Sequence, residues 1–390
     1  MSEHLMQTYA RQPVAFTRGE GVWLYDENGD KYLDAVAGVA VNGLGHAHPK
    51  LARALCEQAG TLIHTSNLYR IPLQEALADK LCALSGMDRA FFCNSGAEAN
   101  EAAIKLARLH GHHRGIDNPA IVVMEKSFHG RTMATMSATG SRKVQAGFEP
   151  LVTGFVRVPF GDADAVAKLA AHHKNIVAVL VEPYQGEGGV QIPEADYLAK
   201  LRRICDDNEW WLMLDEVQTG IGRTGKWFAF QHGDCKPDVM TLAKGLGSGV
   251  PVGACLAAGV AATTFVPGKH GSTFGGGPFA CRAALTTLDV MAEDGLLDNA
   301  ATLGVAIRET LAGALDGVAG VREIRGQGLL IGIELDRPCG DLVKQALEQK
   351  FLINVTSDNV VRLLPPLVMS RAEADELCRK LAALIQAFLA

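Results

Sequence analysis

The feature that most constrains the fold is a series of short, continuously apolar runs: "AFFCN" near 90, "AIVVME" near 120, "FVRVPF" near 155, "IVAVLVEP" near 176, "WWLMLDE" near 210, "VMTLAK" near 239 and "GACLAAG" near 253. A strand with one wet face alternates apolar and polar residues. These runs do not alternate, so they belong to strands covered on both faces. Helix-like segments lie between them, and that succession predicts a large α/β domain with a mainly parallel sheet flanked by helices.

Outside this stretch the pattern changes. Near the N-terminus, "VWLYDENGDKYLD" places Asn28-Gly29 between two short strand-like runs, a strong hairpin signal. After about residue 285 come a long helical stretch, "GLLIGIEL", "VVRLLPPLV" and the amphipathic tail "RAEADELCRKLAALIQAFL", which read as a smaller α+β domain. The expected division is an N-terminal arm and hairpin over 1–48, belonging to the small domain, a large domain over 49–285, and the C-terminal small domain over 286–390.

Composition narrows the classes of partner. A net charge of -6 with a pI near 6.1 leaves no basic surplus for nucleic acid. Nine cysteines without a C-x-x-C pair fit free thiols in a reducing compartment. The opening "MSEHLMQTYARQPVAF" has neither a leader's apolar core nor a transit peptide's Arg/Ser bias. No apolar run approaches the roughly 18 residues of a membrane span. A cytoplasmic protein without a membrane or nucleic-acid partner is expected.

Several residues stand where chemistry could occur. "VMTLAK" ends on Lys244 and a glycine-rich loop follows. A lysine at a strand end often just reaches water, but the carboxyl ends of parallel strands are also where α/β enzymes bind ligands. "WWLMLDE" drives an apolar strand into Asp215, whose charge calls for a cationic partner. In "FFCNSGAEANEAAIKLARLHG", Ser95 and Glu98 form a capping-box pattern, so a helix starts there. With Gly96 and Ala97 beside it, that start can serve as an anion site or as an ordinary capped helix. "SFHGRT" sets an aromatic, an imidazole and Arg131 after the "AIVVME" strand, and arginine there suits a carboxylate through a bidentate pair.

Two patterns invite other readings. "GIGRTG" over Gly220 to Gly225 matches a dinucleotide fingerprint, but "EVQT" separates it from its strand and the next strand ends on Lys244 rather than an acid. The histidine clusters "GHAHP" and "HGHH" lack Cys or carboxylate companions at ligand spacing, so no metal is expected.

Taken together, "NSGAEANEAAIKLAR", "SFHGRT", "VEPYQGEGG", "LDEVQTGIGRTG", "PDVMTLAKGLGSGVPVGA" and "HGSTFGGGP" resemble the class III pyridoxal-phosphate aminotransferases in order and spacing. The resemblance runs from about residue 10 to the C-terminus. It implies a fold-type I homodimer with active sites at the interface and pyridoxal 5'-phosphate as cofactor. Lys244 would hold the cofactor as a Schiff base and then move a proton, and Asp215 would keep the ring nitrogen protonated. Phe128 and Val217 would flank the ring, and Gln218 would reach its phenolic oxygen. Ser95, Gly96 and Ala97 would cradle the phosphate, with Thr273 of a neighbouring subunit. Glu182 and Glu216 complete the implied cofactor contacts. Arg131, Glu187, Ser272 and Arg362 are the implied substrate contacts, with Glu187 masking Arg362 until a substrate α-carboxylate arrives.

Within the family, "AGVAVNGLGHAHPKL", "SNLY" and "RGQGLLIGIEL" resemble the members that act on acylated ornithine. The implied reaction moves the terminal amine of N2-acetyl-L-ornithine to 2-oxoglutarate, giving N-acetylglutamate 5-semialdehyde and glutamate in arginine biosynthesis. N-succinyl-diaminopimelate, succinylornithine, ornithine and 4-aminobutyrate are the alternative donors, and a catalytically dead binding or regulatory protein is the remote one. "GGGP" and Tyr184 depart from the usual family pattern.

Overall fold

A computed structural model describes residues 4–390, so Met1 to Glu3 of the N-terminal segment lie outside the described residues. All seven apolar runs form one sheet. Its order is Arg89–Cys93, Gly253–Ala257, Val239–Leu242, Trp211–Asp215, Ile176–Val181, Ala120–Met124 and Phe155–Val158. The run Ile176–Val181 is buried at every position, as strands covered on both faces require. Gly253–Ala257 runs against the direction of the other six strands. The connection from Leu242 to Gly253 holds just one short 3-10 turn, too little for a crossover helix, so the chain returns beside the strand it has left.

Two four-stranded sheets flank this one. The first joins Phe16–Glu20, Trp23–Asp26 and Lys31–Asp34 to Phe351–Leu352. The expected hairpin is present between Trp23–Asp26 and Lys31–Asp34. Its turn is longer than a two-residue Asn-Gly turn, because only Gly29 has a positive φ (84°) and the Asp26 carboxylate accepts the amides of Asn28 and Asp30. The second sheet is antiparallel, in the order Val321–Gln327, Leu330–Leu335, Val360–Leu363, Asn354–Thr356. The helix Arg371–Leu389 is capped reciprocally by Ser370 and Glu373 and buries Leu377, Leu381 and Ile385.

The "GIGRTG" glycines serve packing. Gly222 and Gly225 have φ of 82° and 89°, and a Cβ on them would fall 2.4 Å from Met291 Cε and 2.8 Å from Ala301 Cβ. One histidine of each cluster has a local partner: His46 Nε2 lies 2.8 Å from Asp34 Oδ2, and His110 stacks on Trp211. Among the described residues no helix is long and apolar enough to cross a membrane.

Candidate active site

Strand ends build the site. Trp211–Asp215 and Val239–Leu242 are parallel neighbours, with Asp215 opposite Thr241, so Asp215 and Lys244 emerge side by side at one edge of the sheet. Arg89–Cys93 reaches the same edge and delivers Ser95, the N-cap of the helix Gly96–His113. Ser95 Oγ accepts the Glu98 amide at 3.2 Å. Glu98 answers one residue earlier than a capping box predicts, accepting the Asn94 amide at 2.6 Å. These ends enclose a cavity of about 430 Å³ lined by Ser95, Gly96, Ala97, Phe128, Arg131, Glu182, Glu187, Asp215, Val217, Gln218 and Lys244.

Asp215 is fixed from three sides. Asn100 Nδ2 donates to Oδ2 at 2.7 Å, His129 Nδ1 lies 2.8 Å from the same oxygen, and the Val217 amide donates to Oδ1 at 3.0 Å. Asn100 is itself held by the Thr241 hydroxyl. His129 Nε2 is buried with no partner among the described residues. Lys244 takes the left-handed conformation, φ 42°, at the strand exit. Desolvation pushes its amine pKa down, outweighing the opposing pull of Glu187, and the lowered pKa favours the neutral, nucleophilic form. Glu182 accepts the Phe128 amide at 3.1 Å and so sets the loop carrying Phe128 and Arg131.

The opposite wall is ionic. Arg362, 1% exposed, donates Nη1 to Glu187 Oε1 at 2.8 Å and to Gln218 Oε1 at 3.3 Å, while Nε and Nη2 bind Asn354 Oδ1. Burial alone would raise the Glu187 pKa, but Arg362 beside it holds the carboxyl below its ordinary range. Gly186 leaves room for this wall, because a Cβ there would sit 1.9 Å from Gln218 Oε1.

Four residues singled out in the sequence do not line the cavity. Arg362 stands behind Glu187 and Gln218. Glu216 turns away from it: as the next residue after Asp215 it takes the other side of the chain, where it accepts the amides of Ala229 and Phe230 and the Thr219 hydroxyl. Ser272 and Thr273 line a neighbouring cavity with Asn94, Glu98 and His270. Asn94, Asn100 and His129 border the Lys244 cavity without having been assigned a role from the sequence. The imidazole in "SFHGRT" was a visible signal for His129, whereas Asn100 reads as a polar residue in mid-helix.

The family model for class-III aminotransferases matches residues 6–385. An acetylornithine aminotransferase from Nitrosomonas europaea is 64% identical over 386 residues, covering 99% of this chain and 98% of that protein. The structure of the Toxoplasma gondii ornithine aminotransferase, described with partial occupancy of PLP at the active site, superposes with a TM-score of 0.95 at 34% identity, covering 99% of this chain and 92% of that one. An acetylornithine aminotransferase from Elizabethkingia anophelis gives 0.88 at 35% identity, covering 99% and 97%. With the cavity described above and matches that span nearly the whole sequence, the chain belongs to the class-III aminotransferase family.

Proposed function

We propose that the protein transfers the terminal amine of N2-acetyl-L-ornithine to 2-oxoglutarate, forming N-acetyl-L-glutamate 5-semialdehyde and L-glutamate. The observation that carries this reading is the buried Arg362 whose cavity-side partner is Glu187, its carboxylate side chain 37% exposed. The two amine donors of such a reaction differ at the reacting carbon: acetylornithine bears no carboxylate there and glutamate bears one. A permanently free arginine would leave an uncompensated charge beside the first donor, at a cost on the order of several kcal/mol in a dry site. Glu187 neutralises Arg362 for acetylornithine and rotates away for the glutamate α-carboxylate.

The cavity also fits pyridoxal 5'-phosphate. Gly96 opens the helix start, because a Cβ there would meet Val217 Cγ1 at 2.7 Å, and the bare backbone amides suit a phosphate. Ser95, Gly96 and Ala97 would hold that group, with Thr273 of a second subunit. Phe128 and Val217 would hold the ring faces, Gln218 and Asp215 its edge, and Lys244 its aldehyde carbon. When bound, the cofactor supplies an electron sink for the pair left as a substrate C–H bond breaks. Lys244 Nζ would take that proton from the substrate carbon and pass it to the carbon that bears the cofactor's aldehyde, and its lowered pKa suits the task. Arg131, exposed at the mouth and within 5.6 Å of the Phe128 ring centroid, binds the distal carboxylate of either substrate.

A homodimer fits the same reading. Ile63, Leu68, Tyr69 and Phe274 are exposed, and Asn67 binds the carbonyls of Ser272 and Gly275, which puts this apolar group on the side of Thr273. The division into 1–48, 49–285 and 286–390, with the central part binding the cofactor, belongs to the proposal, as does a cytoplasmic location. The test is glutamate formation from a panel of acetylornithine, succinylornithine, N-succinyl-diaminopimelate, ornithine and 4-aminobutyrate. A selectivity led by either donor without an acyl group would overturn the assignment.

A further inference from the structure

Two buried arginines cross, in opposite directions, the seam between the seven-stranded sheet and the C-terminal sheet. Arg223, 3% exposed, leaves the "GIGRTG" loop and donates Nη1 to the carbonyls of Leu329 (3.1 Å) and Pro365 (2.5 Å). Pro365 lies three residues beyond Arg362, and Leu329 sits in the turn between Val321–Gln327 and Leu330–Leu335. The Leu329 amide returns a bond to the Arg223 carbonyl at 2.9 Å. A Cβ on Gly328 would lie 2.5 Å from the Thr224 carbonyl carbon, so the two chains are in backbone contact.

Arg325 reaches the other way. From Val321–Gln327 it donates Nε to the Val190 carbonyl (2.8 Å) and Nη2 to the Gly189 carbonyl (2.6 Å), while Nη1 is held by Glu323 and Glu334. Gly189 and Val190 belong to the loop that carries Glu187, closed at its base by paired backbone bonds between Gln185 and Gln191. Thr356 and Ser357 also donate to the Glu187 carbonyl. The backbone of Glu187 is therefore pinned from the C-terminal sheet while its carboxylate stays partly exposed.

We propose that Arg325 and Arg223 are positioning residues for the Glu187–Arg362 pair, Arg325 fixing the loop from which Glu187 rotates and Arg223 fixing the strand that bears Arg362. Exchange between amine donors is then a side-chain rotation on a locked frame. This rests on the reading of the pair given above. It differs from a general stabilising role in what it requires: losing each arginine must bias the two half-reactions in opposite senses, because each displaces a different member of the pair.

The test uses purified holoenzyme and four variants, Arg325→Met, Arg223→Met, Glu187→Gln and Arg362→Met. Each half-reaction is followed separately by rapid mixing, and amide hydrogen exchange is read by mass spectrometry. Arg325→Met should slow the acetylornithine half-reaction about tenfold relative to the glutamate one, and Arg223→Met should give the reverse bias. Exchange should rise across residues 185–191 in the first and across 328–330 and 361–367 in the second. Lysine at either position, able to reach fewer carbonyls than the guanidinium, should show the same bias in weaker form and carries the test if a methionine variant does not fold. Equal slowing of both half-reactions, or unchanged exchange in the named segments, overturns the proposal. No bias in Glu187→Gln overturns the reading of the pair and this proposal with it. A bias in Glu187→Gln without one in Arg325→Met or its lysine counterpart overturns the positioning role alone.

Discussion

Two carboxylates in this cavity are held in contrasting ways. Asp215, 3% exposed, is engaged on both oxygens by Asn100, His129 and the Val217 amide. Among the described residues Glu187 has one side-chain partner, Arg362, and it retains a path to solvent. The difference matches the demands on each. A group needed identically in both halves of a reaction cycle gains from being over-determined, since the field it provides then costs no reorganisation. A group that must leave for one of two substrates has to be bound by few and reversible contacts. On the function proposed above, one wall of the cavity serves constancy and the other exchange.

The largest effect tests the constant wall. Lys244→Ala should lose at least about three orders of magnitude in both half-reactions alike, because nucleophile and proton carrier vanish together. A variant impaired in only one half-reaction would show that Lys244 belongs to the exchanging wall. Asp215→Ala should come next, slowing both half-reactions by roughly a hundredfold while phosphate affinity, measured by titrating cofactor into stripped protein, changes little. Glu187→Gln should cost the acetylornithine half-reaction more than about tenfold, near 1.4 kcal/mol of barrier, and spare the glutamate one. Arg131→Lys keeps charge but not the fork, so it should raise KM for acetylornithine and 2-oxoglutarate together, by about tenfold at most.

The smallest expected effect is one of pH. Against the upward push of burial, Arg362 holds the folded-state pKa of Glu187 below the ordinary carboxylate range, so the ionised pair persists as pH falls to that range and breaks only below it. The ratio of the two half-reaction rates should therefore stay flat from pH 8 down to about 5, the lower limit being set by that direction of shift. A ratio that drifts across this range would mean the pair is weaker than its geometry, and the contrast between the walls would soften.

Much of this was readable from the residues alone. Continuous apolarity located all seven strands of the main sheet because burial on both faces removes alternation, and the strand-end position of Asp215 and Lys244 follows from the same pattern. What periodicity could not supply is direction. Nothing in "GACLAAG" states that it runs against its neighbours; the shortness of the preceding loop decides it. The hydrogen bonds on Asp215 come from a helix and a loop that the topology alone brings together, so Asn100 stayed hidden in an ordinary helical stretch. Glu216 shows the opposite limit, where adjacency to a site residue places a side chain on the wrong side of the chain. The two seam arginines were invisible for a further reason: the acceptors they reach across the seam are backbone carbonyls, which carry no sequence signature.

The single antiparallel strand also dictates when the site can exist during synthesis. Within the seven-stranded sheet, Arg89–Cys93, which ends next to the Ser95 turn, pairs only with Gly253–Ala257. That strand is thus made early by the ribosome but has no strand partner in this sheet until the chain has grown well past Lys244. Pairings so distant in sequence close slowly, because loop entropy is lost before any contact compensates. A nascent chain halted before Gly253 would hold Asp215 and Lys244 beside a sheet edge to which the strand leading into Ser95 cannot yet be joined.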